Sequence, residues 1–413
     1  MHPILFSFDT SVHPVPHALL TLPILVAALV CFAWAVRRHR FRAALVGGLI
    51  TLGVAYVAWK ERSGSWPWGV LRLESFGASL ALAALLAGWL FQSLVSRQKL
   101  AQKNSISVLS LVGIGALVGA RLTYVLVSRS MWPDPSRWLN LQQGGLSGYG
   151  ALLGGAAALA VSSRRHGGLA RWGDAMAPSF GLFVAISKLG CYAFGCGYGR
   201  RLASDAPAWL RSLGTFPRWE GNELLLGSGS PAWQRHVLDY GLSIDSPRSL
   251  AVHPVQLYES MLGLLLLGAG LWLSARRRFP GQVMLVTVVG YGLGRLLLEL
   301  FRGDPERGLL GAPFAQGFAT LLLAAIVVVV LETRALEGRW GTSRYPKWTR
   351  VGLLLFVVAL ALAIQTSPQG GIFTPLSLSQ CLGAATALAA AWIWPRWAQN
   401  RRIGPRFTPS GDG

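Results

Sequence analysis

The chain has 413 residues; 52% are hydrophobic and only 13% charged, and 38 Lys+Arg against 17 Asp+Glu give a net charge of +21. Soluble domains carry roughly 25% charged residues, so a water-soluble fold is excluded, and so is disorder, which needs low hydrophobicity. A pI near 11 fits nucleic-acid binding only where the charge gathers on one face, and here it is spread in a regular way along the chain.

Crossing a hydrocarbon core of roughly 30 Å takes an apolar run of about 20 residues. In chain order the sequence predicts eleven: 17–36, 43–59, 69–95, 105–128, 145–162, 174–197, 254–275, 279–302, 310–333, 349–365 and 372–394. Basic clusters follow the odd-numbered runs: Arg37 to Arg42, Arg97 to Lys103, Arg164 to Arg171, Arg276 to Arg278, Arg334 to Arg350, and Arg396 to Arg406. Short loops after even-numbered runs are poor in Lys and Arg. This alternation is the positive-inside pattern, with the N-terminus outside and the C-terminus cytoplasmic. The first run lacks a basic n-region and a small-residue cleavage site, so it reads as a retained span. The expected fold class is therefore an all-α, polytopic integral membrane protein of about 11 transmembrane helices. The clusters are topological anchors, and no nucleic-acid partner is expected.

One long loop, 198–253, interrupts the runs on the outer side. It holds Pro207, Pro217 and Pro231 with Trp209, Trp219 and Trp233. A small, partly ordered cap without its own core is expected there, with its tryptophans at the membrane interface. Cys31, Cys191, Cys196 and Cys381 show no metal spacing or disulfide framework. The basic tail, 396–413, reads as disordered.

Ionisable residues inside spans are costly and by default mark function. Tyr291, Arg295, Glu299 and Arg302 recur at i, i+4, i+8 and i+11, one face of a helix. Arg295 and Glu299 can pair, and a guanidinium fork suits a phosphate. Lys188 lies inside the sixth run, followed by glycines at 190, 195, 197 and 199. Gln143 to Gly155 is a second glycine-rich stretch, whose glycines serve either helix packing or a cavity that Ser147 and Tyr149 enter. His253-Pro-Val-Gln-Leu-Tyr-Glu259 opens the seventh run, with Gln256 and Glu259 one turn apart. Arg121 is a further charge within a span.

Three of these motifs, in order, carry a family resemblance: Gly144-Gly-Leu-Ser147, His253-Pro-x-Gln-Leu-Tyr-Glu259, and Arg295-x3-Glu299-x2-Arg302. Over roughly 69–335 the chain resembles bacterial prolipoprotein diacylglyceryl transferase. Met1 to Phe6 is similar to that family's opening. The resemblance implies a membrane core of about seven spans at 69–335. Two extra spans would precede it in 1–68 and two would follow in 336–395. It implies an inner-membrane enzyme that moves the diacylglyceryl group of phosphatidylglycerol onto the lipobox cysteine thiol of a prolipoprotein. Glycerol 1-phosphate is released, and neither a metal nor another cofactor is needed. Its partners would be phosphatidylglycerol, the prolipoprotein signal peptide and the bilayer.

The resemblance assigns Arg295, Glu299, Tyr149 and His253 to catalysis, and Lys188, Arg295, Arg302, Tyr291, Gly190 and Gly199 to holding phosphatidylglycerol. The sequence departs from the family pattern at named places. Lys188 replaces an arginine, Cys191 and Phe194 replace asparagines, Tyr149 replaces a histidine, and Phe76 replaces a tyrosine. Tyr149 and Cys191 also permit a second reading, a non-catalytic relative that binds anionic phospholipid or lipoprotein, or a transferase with a changed acceptor.

Overall fold

The computed structural model describes residues 4–9, 70–128, 131–139, 145–164, 166–218, 229–303 and 377–399. The predicted runs at 17–36, 43–59, 310–333 and 349–365 lie outside them, as do Trp219 and most of the tail.

The chain divides into two compact units, 2–77 and 78–413. In the first, β1 (Ile4–Asp9) pairs antiparallel with β2 (Val70–Glu74), with an irregularity between Ile4 and Phe6. This ribbon is an addition to the all-α expectation. Strands of five and six residues beside apolar runs are not separable from helix starts by periodicity.

The rest of the described chain is built on helices. They are α1 (Ser75–Arg97), α2 (Ser105–Val127), α3 (Gly148–Ser163), α4 (Leu169–Phe194), α5 (Ala208–Leu213), α6 (Pro231–Tyr240), α7 (Val255–Arg276), α8 (Gln282–Leu298) and α9 (Leu378–Gln399). Five are long and apolar enough to cross a membrane: α1, α2, α4, α7 and α8, the last continued by a 3₁₀ turn to Phe301. Their lipid-facing leucines and tryptophans, such as Leu85, Trp89, Leu265 and Trp272, are exposed, as a membrane protein requires. Helix α3 is apolar but has only 16 residues, or about 24 Å of rise, short of a hydrocarbon core of roughly 30 Å.

Apolar burial cannot drive helix association inside lipid, so small residues let backbones touch instead. Three glycine seams do this here. A Cβ at Gly119 of α2 would sit against Gly150 O of α3, and one at Gly115 against Gly154 O. Gly181 of α4 meets Gly263 of α7 in the same way. Gly292 of α8 meets Gly383 of α9. Gly150 and Gly154 thus serve packing against α2, and Ser147 caps α3 by accepting from Gly150 N at 3.3 Å, rather than entering a cavity.

Helix α9 runs along α8. Its N-terminus carries a capping box: Gln380 N donates to Ser377 Oγ at 3.2 Å, and Ser377 N donates to Gln380 Oε1 at 3.1 Å. At its other end Trp394 packs on Phe279, ring centroids 5.5 Å apart. A segment that the sequence reading sets apart as extra therefore lies against a helix of the core.

The cap differs from expectation. Residues 198–218 and 229–253 enclose a small core of Tyr198, Phe216, Ala232 and Val252. Trp233 is fully buried and donates Nε1–H to Ser246 O at 2.8 Å. Its indole serves a core rather than the membrane interface. Trp209, in contrast, is exposed.

Candidate active site

Helix α4 ends on Gly195, whose φ of +82° is left-handed and favours glycine. Gly195 N and Cys196 N both donate to Cys191 O, at 2.8 and 3.2 Å. The chain then turns back as an extended segment. Gly199 N donates to His253 O at 2.9 Å, His253 N to Arg200 O at 2.8 Å, and Arg200 N to Phe301 O at 2.7 Å. A Cβ at Gly199 would collide with the carbonyls of His253 and Phe301. Glycine is required at this crossing of three chain segments. It joins the end of α4, the start of α7 and the end of α8, and so fixes the side chains beneath.

Those side chains form a buried ladder of charges. Lys188 Nζ of α4 lies 2.5 Å from Glu259 Oε2 of α7. Glu259 Oε1 accepts from Arg295 Nη1 of α8. Arg295 Nη2 donates to Glu299 Oε2 at 2.9 Å, and Arg302 Nη1 lies 3.6 Å from the same oxygen. Arg295, Glu259 and Glu299 are buried, whereas Lys188 is about one-third exposed, its side chain at 31%. Three cations against two carboxylates leave one net positive charge. Burying charges is tolerable because they pair, and removing one partner typically costs about 3–5 kcal/mol.

Polar atoms without hydrogen bonds gather at the same place. Among the described residues, Tyr149 Oη, Gln256 Oε1 and Glu299 Oε1 are buried with no partner. The Tyr149 hydroxyl is in the field of Arg295, Glu299 and Arg302, and a Cβ at Gly383 of α9 would lie 3.3 Å from it. Tyr291 is half-buried and packs edge-on against Phe180, ring centroids 5.0 Å apart, in the field of Tyr149 and Arg302. Buried polar groups are nearly always satisfied, so such a cluster marks a place for a polar ligand.

The expected site residues therefore separate into two groups. Lys188, Arg295, Glu299, Arg302, Tyr149 and Tyr291 converge. Gly199 shapes the crossing, and Gly190 is buried within α4. His253 stands apart: its ring packs on Phe301 at 5.1 Å, and its Nδ1 is 3.4 Å from Tyr258 Oη. Burial and then the Arg200 guanidinium hold its imidazole below the usual histidine range.

Two further residues belong to the site. Glu259 bridges Lys188 to Arg295, and a carboxylate one turn into an apolar helix was its signal. Gln256 donates Nε2–H to Cys196 O at 2.8 Å, tying the start of α7 to the turn after α4. Arg121 does something else. It donates to the carbonyls of Arg137, Trp138 and Gly145 at 2.6, 2.7 and 2.9 Å, and so pins the loop that delivers Tyr149.

Between α5, α7 and α8 lies an open apolar hollow of about 450 Å³ whose lining includes Trp209 and Leu213 of α5, Tyr258 and Met261 of α7, and Gly294 and Leu298 of α8, chain neighbours of Glu259, Arg295 and Glu299.

Fold and site together define a multi-pass membrane protein with a buried cationic cluster next to an apolar hollow. Residues 65–332 match the family of prolipoprotein diacylglyceryl transferases. Similar proteins include the phosphatidylglycerol–prolipoprotein diacylglyceryl transferase of Clostridium tetani, 27% identical over 264 residues, covering 63% of this chain and 93% of that one. That of Pectobacterium carotovorum is 29% identical over 278 residues, covering 64% and 91%. That of Neisseria meningitidis serogroup A is 30% identical over 249 residues, covering 57% and 84%. The chain belongs to the prolipoprotein diacylglyceryl transferase family of membrane transferases.

Proposed function

We propose that the protein transfers the diacylglyceryl group of phosphatidylglycerol to the thiol of a lipobox cysteine in a prolipoprotein, releasing glycerol 1-phosphate. The observation that carries this is the ladder with its surplus positive charge and its three unpartnered polar atoms. A phosphodiester supplies the missing anion and an acceptor for the Tyr149 hydroxyl, and the free hydroxyls of the glycerol headgroup donate to the Gln256 and Glu299 oxygens.

The reaction is a displacement. A thiolate attacks the diacylglyceryl carbon, a C–S bond forms, and the C–O bond to the phosphate breaks. The electron pair leaves with that oxygen as glycerol 1-phosphate. Catalysis then needs charge stabilisation on the leaving phosphate and alignment of the carbon with the thiolate. Arg295, Arg302 and Lys188 supply cationic contacts to the phosphate. Glu259 and Glu299 hold the Arg295 guanidinium from two sides, so its fork is set before substrate arrives. The Tyr149 hydroxyl donates to a phosphate oxygen, beside Tyr291. The same cations favour ionisation of the incoming thiol, whose ordinary pKa is about 8.5, and its proton passes to water. His253, turned toward Tyr258 and Phe301, holds the crossing rather than moving this proton. An acyl chain occupies the apolar cavity.

The family resemblance and the alternation of basic clusters support a placement in the bacterial inner membrane, with the N-terminus outside and the C-terminus cytoplasmic. The site, between the cap and the membrane, then faces the outer side.

The test is direct. Protein purified in detergent, supplied with phosphatidylglycerol labelled in its diacylglyceryl group and a lipobox peptide, is expected to yield a labelled thioether. No thioether, with a control transferase active in the same micelles, overturns the reading. In that case phosphatidylglycerol binding without turnover would identify the non-catalytic relative that Tyr149 and Cys191 permit.

A further inference from the structure

We propose that Cys191 and Cys196 form an oxidisable dithiol at this site, able to close into an intramolecular disulfide by exchange with small disulfides. The bond from Cys196 N to Cys191 O, across a left-handed Gly195, is the six-residue closure of a Schellman motif. That motif brings the side chains of its first and last residues together, and proteins usually fill both positions with apolar groups. Here both are cysteines, and the Cys196 thiol donates to Cys191 O at 3.9 Å. A disulfide needs Cα atoms about 4.4–6.8 Å apart, and this hydrogen bond holds the two backbones side by side. Both thiols are reduced and partly exposed.

The surroundings favour reaction. Lys188 lies one turn before Cys191 on α4, and a cation beside a thiol promotes the thiolate form that attacks. Gln256 grips the carbonyl of Cys196, which keeps the second thiol in place. The site is thus built for soft, thiophilic reagents. In the exchange, the Cys191 thiolate attacks one sulfur of a small disulfide and expels the other half as a thiolate. The Cys196 thiolate then attacks the Cys191 sulfur of the mixed disulfide and expels the second half. One S–S bond forms in the protein, one is lost from the reagent, and the two protons of the protein thiols end on the two expelled thiolates, so the reagent ends as two thiols. The link would tie the turn bearing Lys188 to the carbonyl held by Gln256. It depends on the turn's geometry and not on the transfer reaction.

Full-length protein in detergent is incubated with oxidised glutathione, blocked with N-ethylmaleimide, digested and analysed by mass spectrometry. The expected result is at least a tenfold fall in maleimide on both cysteines, a Cys191–Cys196 link, and recovery with dithiothreitol. Cys196→Ser protein is expected to stop at a glutathione adduct on Cys191. Full maleimide labelling of both cysteines, stable glutathione adducts on the unaltered protein, or a link to Cys31 or Cys381 instead would each overturn the proposal. Because the readout is mass and not turnover, it can fail or succeed independently of the transferase reading.

Discussion

Helix α8 carries a buried carboxylate system at each end, and the two are built to different ends. At its start, Asp174 of α4 is fully buried. It accepts from Gly281 N at 2.7 Å and Met284 N at 3.1 Å, with Arg277 3.5 Å away. Here one carboxylate meets one cation and the unpaired N–H groups of a helix N-terminus, where negative charge is favoured. At the far end, Glu259 and Glu299 meet three cations, and Tyr149, Gln256 and Glu299 keep polar atoms without partners. Both clusters would satisfy a search for buried ion pairs. Arg277 Nη1 is also buried without a hydrogen bond, so what separates the second cluster is its surplus charge together with three such atoms on three residues, and that surplus distinguishes a binding site from a structural cap.

The sharpest way to break this distinction is to remove the shared cation of the second cluster. Arg295→Ala is expected to lower transfer from phosphatidylglycerol to a lipobox peptide by about 10²–10³, the scale for losing one positioned donor to developing charge. It also leaves Glu259 and Glu299 facing each other without their bridge, so turnover must be expressed per folded protein. Arg295→Lys keeps the charge but cannot reach both carboxylates, and should fall between the alanine variant and the unaltered protein. Turnover within twofold in both variants would mean that the ladder is structural, as the Asp174 cluster is.

The converse experiment is at Asp174. Asp174→Ala leaves the N–H groups of Gly281 and Met284 unsatisfied and Arg277 without its carboxylate. A loss of about 3–5 kcal/mol is expected, seen as a fall of several degrees in the melting temperature of the detergent-solubilised protein. Turnover per folded molecule should stay within twofold. A large drop in turnover at unchanged melting temperature would move Asp174 into the functional class and dissolve the comparison.

Much of this was legible in the sequence, for identifiable reasons. Tyr291, Arg295, Glu299 and Arg302 share a helical face by spacing alone, and the structure brings them together. Lys188 was visible because a charge within an apolar run is rare. Glu259 was harder, because its role depends on two other helices meeting α7, which no local pattern encodes. The glycines of 144–155 gave one signal for two roles, and only the neighbouring glycines of α2 resolved it. His253 belongs to the most recognisable motif, yet its backbone does the holding while its ring packs on Phe301. Trp233 shows the limit of composition: a tryptophan in an outer loop reads as an interface anchor until a core closes over it.

The smallest expected effect lies in the cap. His236 is almost fully buried and its Nδ1 accepts from Leu250 N at 3.1 Å. Its surroundings are the rings of Tyr198 and Tyr240, with Arg201 and Asp239 nearby. Burial first, then the charge of Arg201, lower its pKa to about 4, with Asp239 opposing. The neutral ring is therefore the folded form, and its pKa is depressed relative to the unfolded chain, near 6.5. Its contribution is whole above pH 6.5 and is lost as pH falls toward 4. Amide hydrogen exchange, corrected for the intrinsic effect of pH, should show 229–253 opening more often at pH 5 than at pH 7. The charge ladder, which contains no histidine, should change little over the same interval. In His236→Gln, which cannot titrate, the pH-dependent part of the opening of α6 (231–240), away from His253, should vanish even if the cap is less protected throughout. If the pH dependence survives, the cap answers to another group, and α6 holds its place without the help of a neutral imidazole.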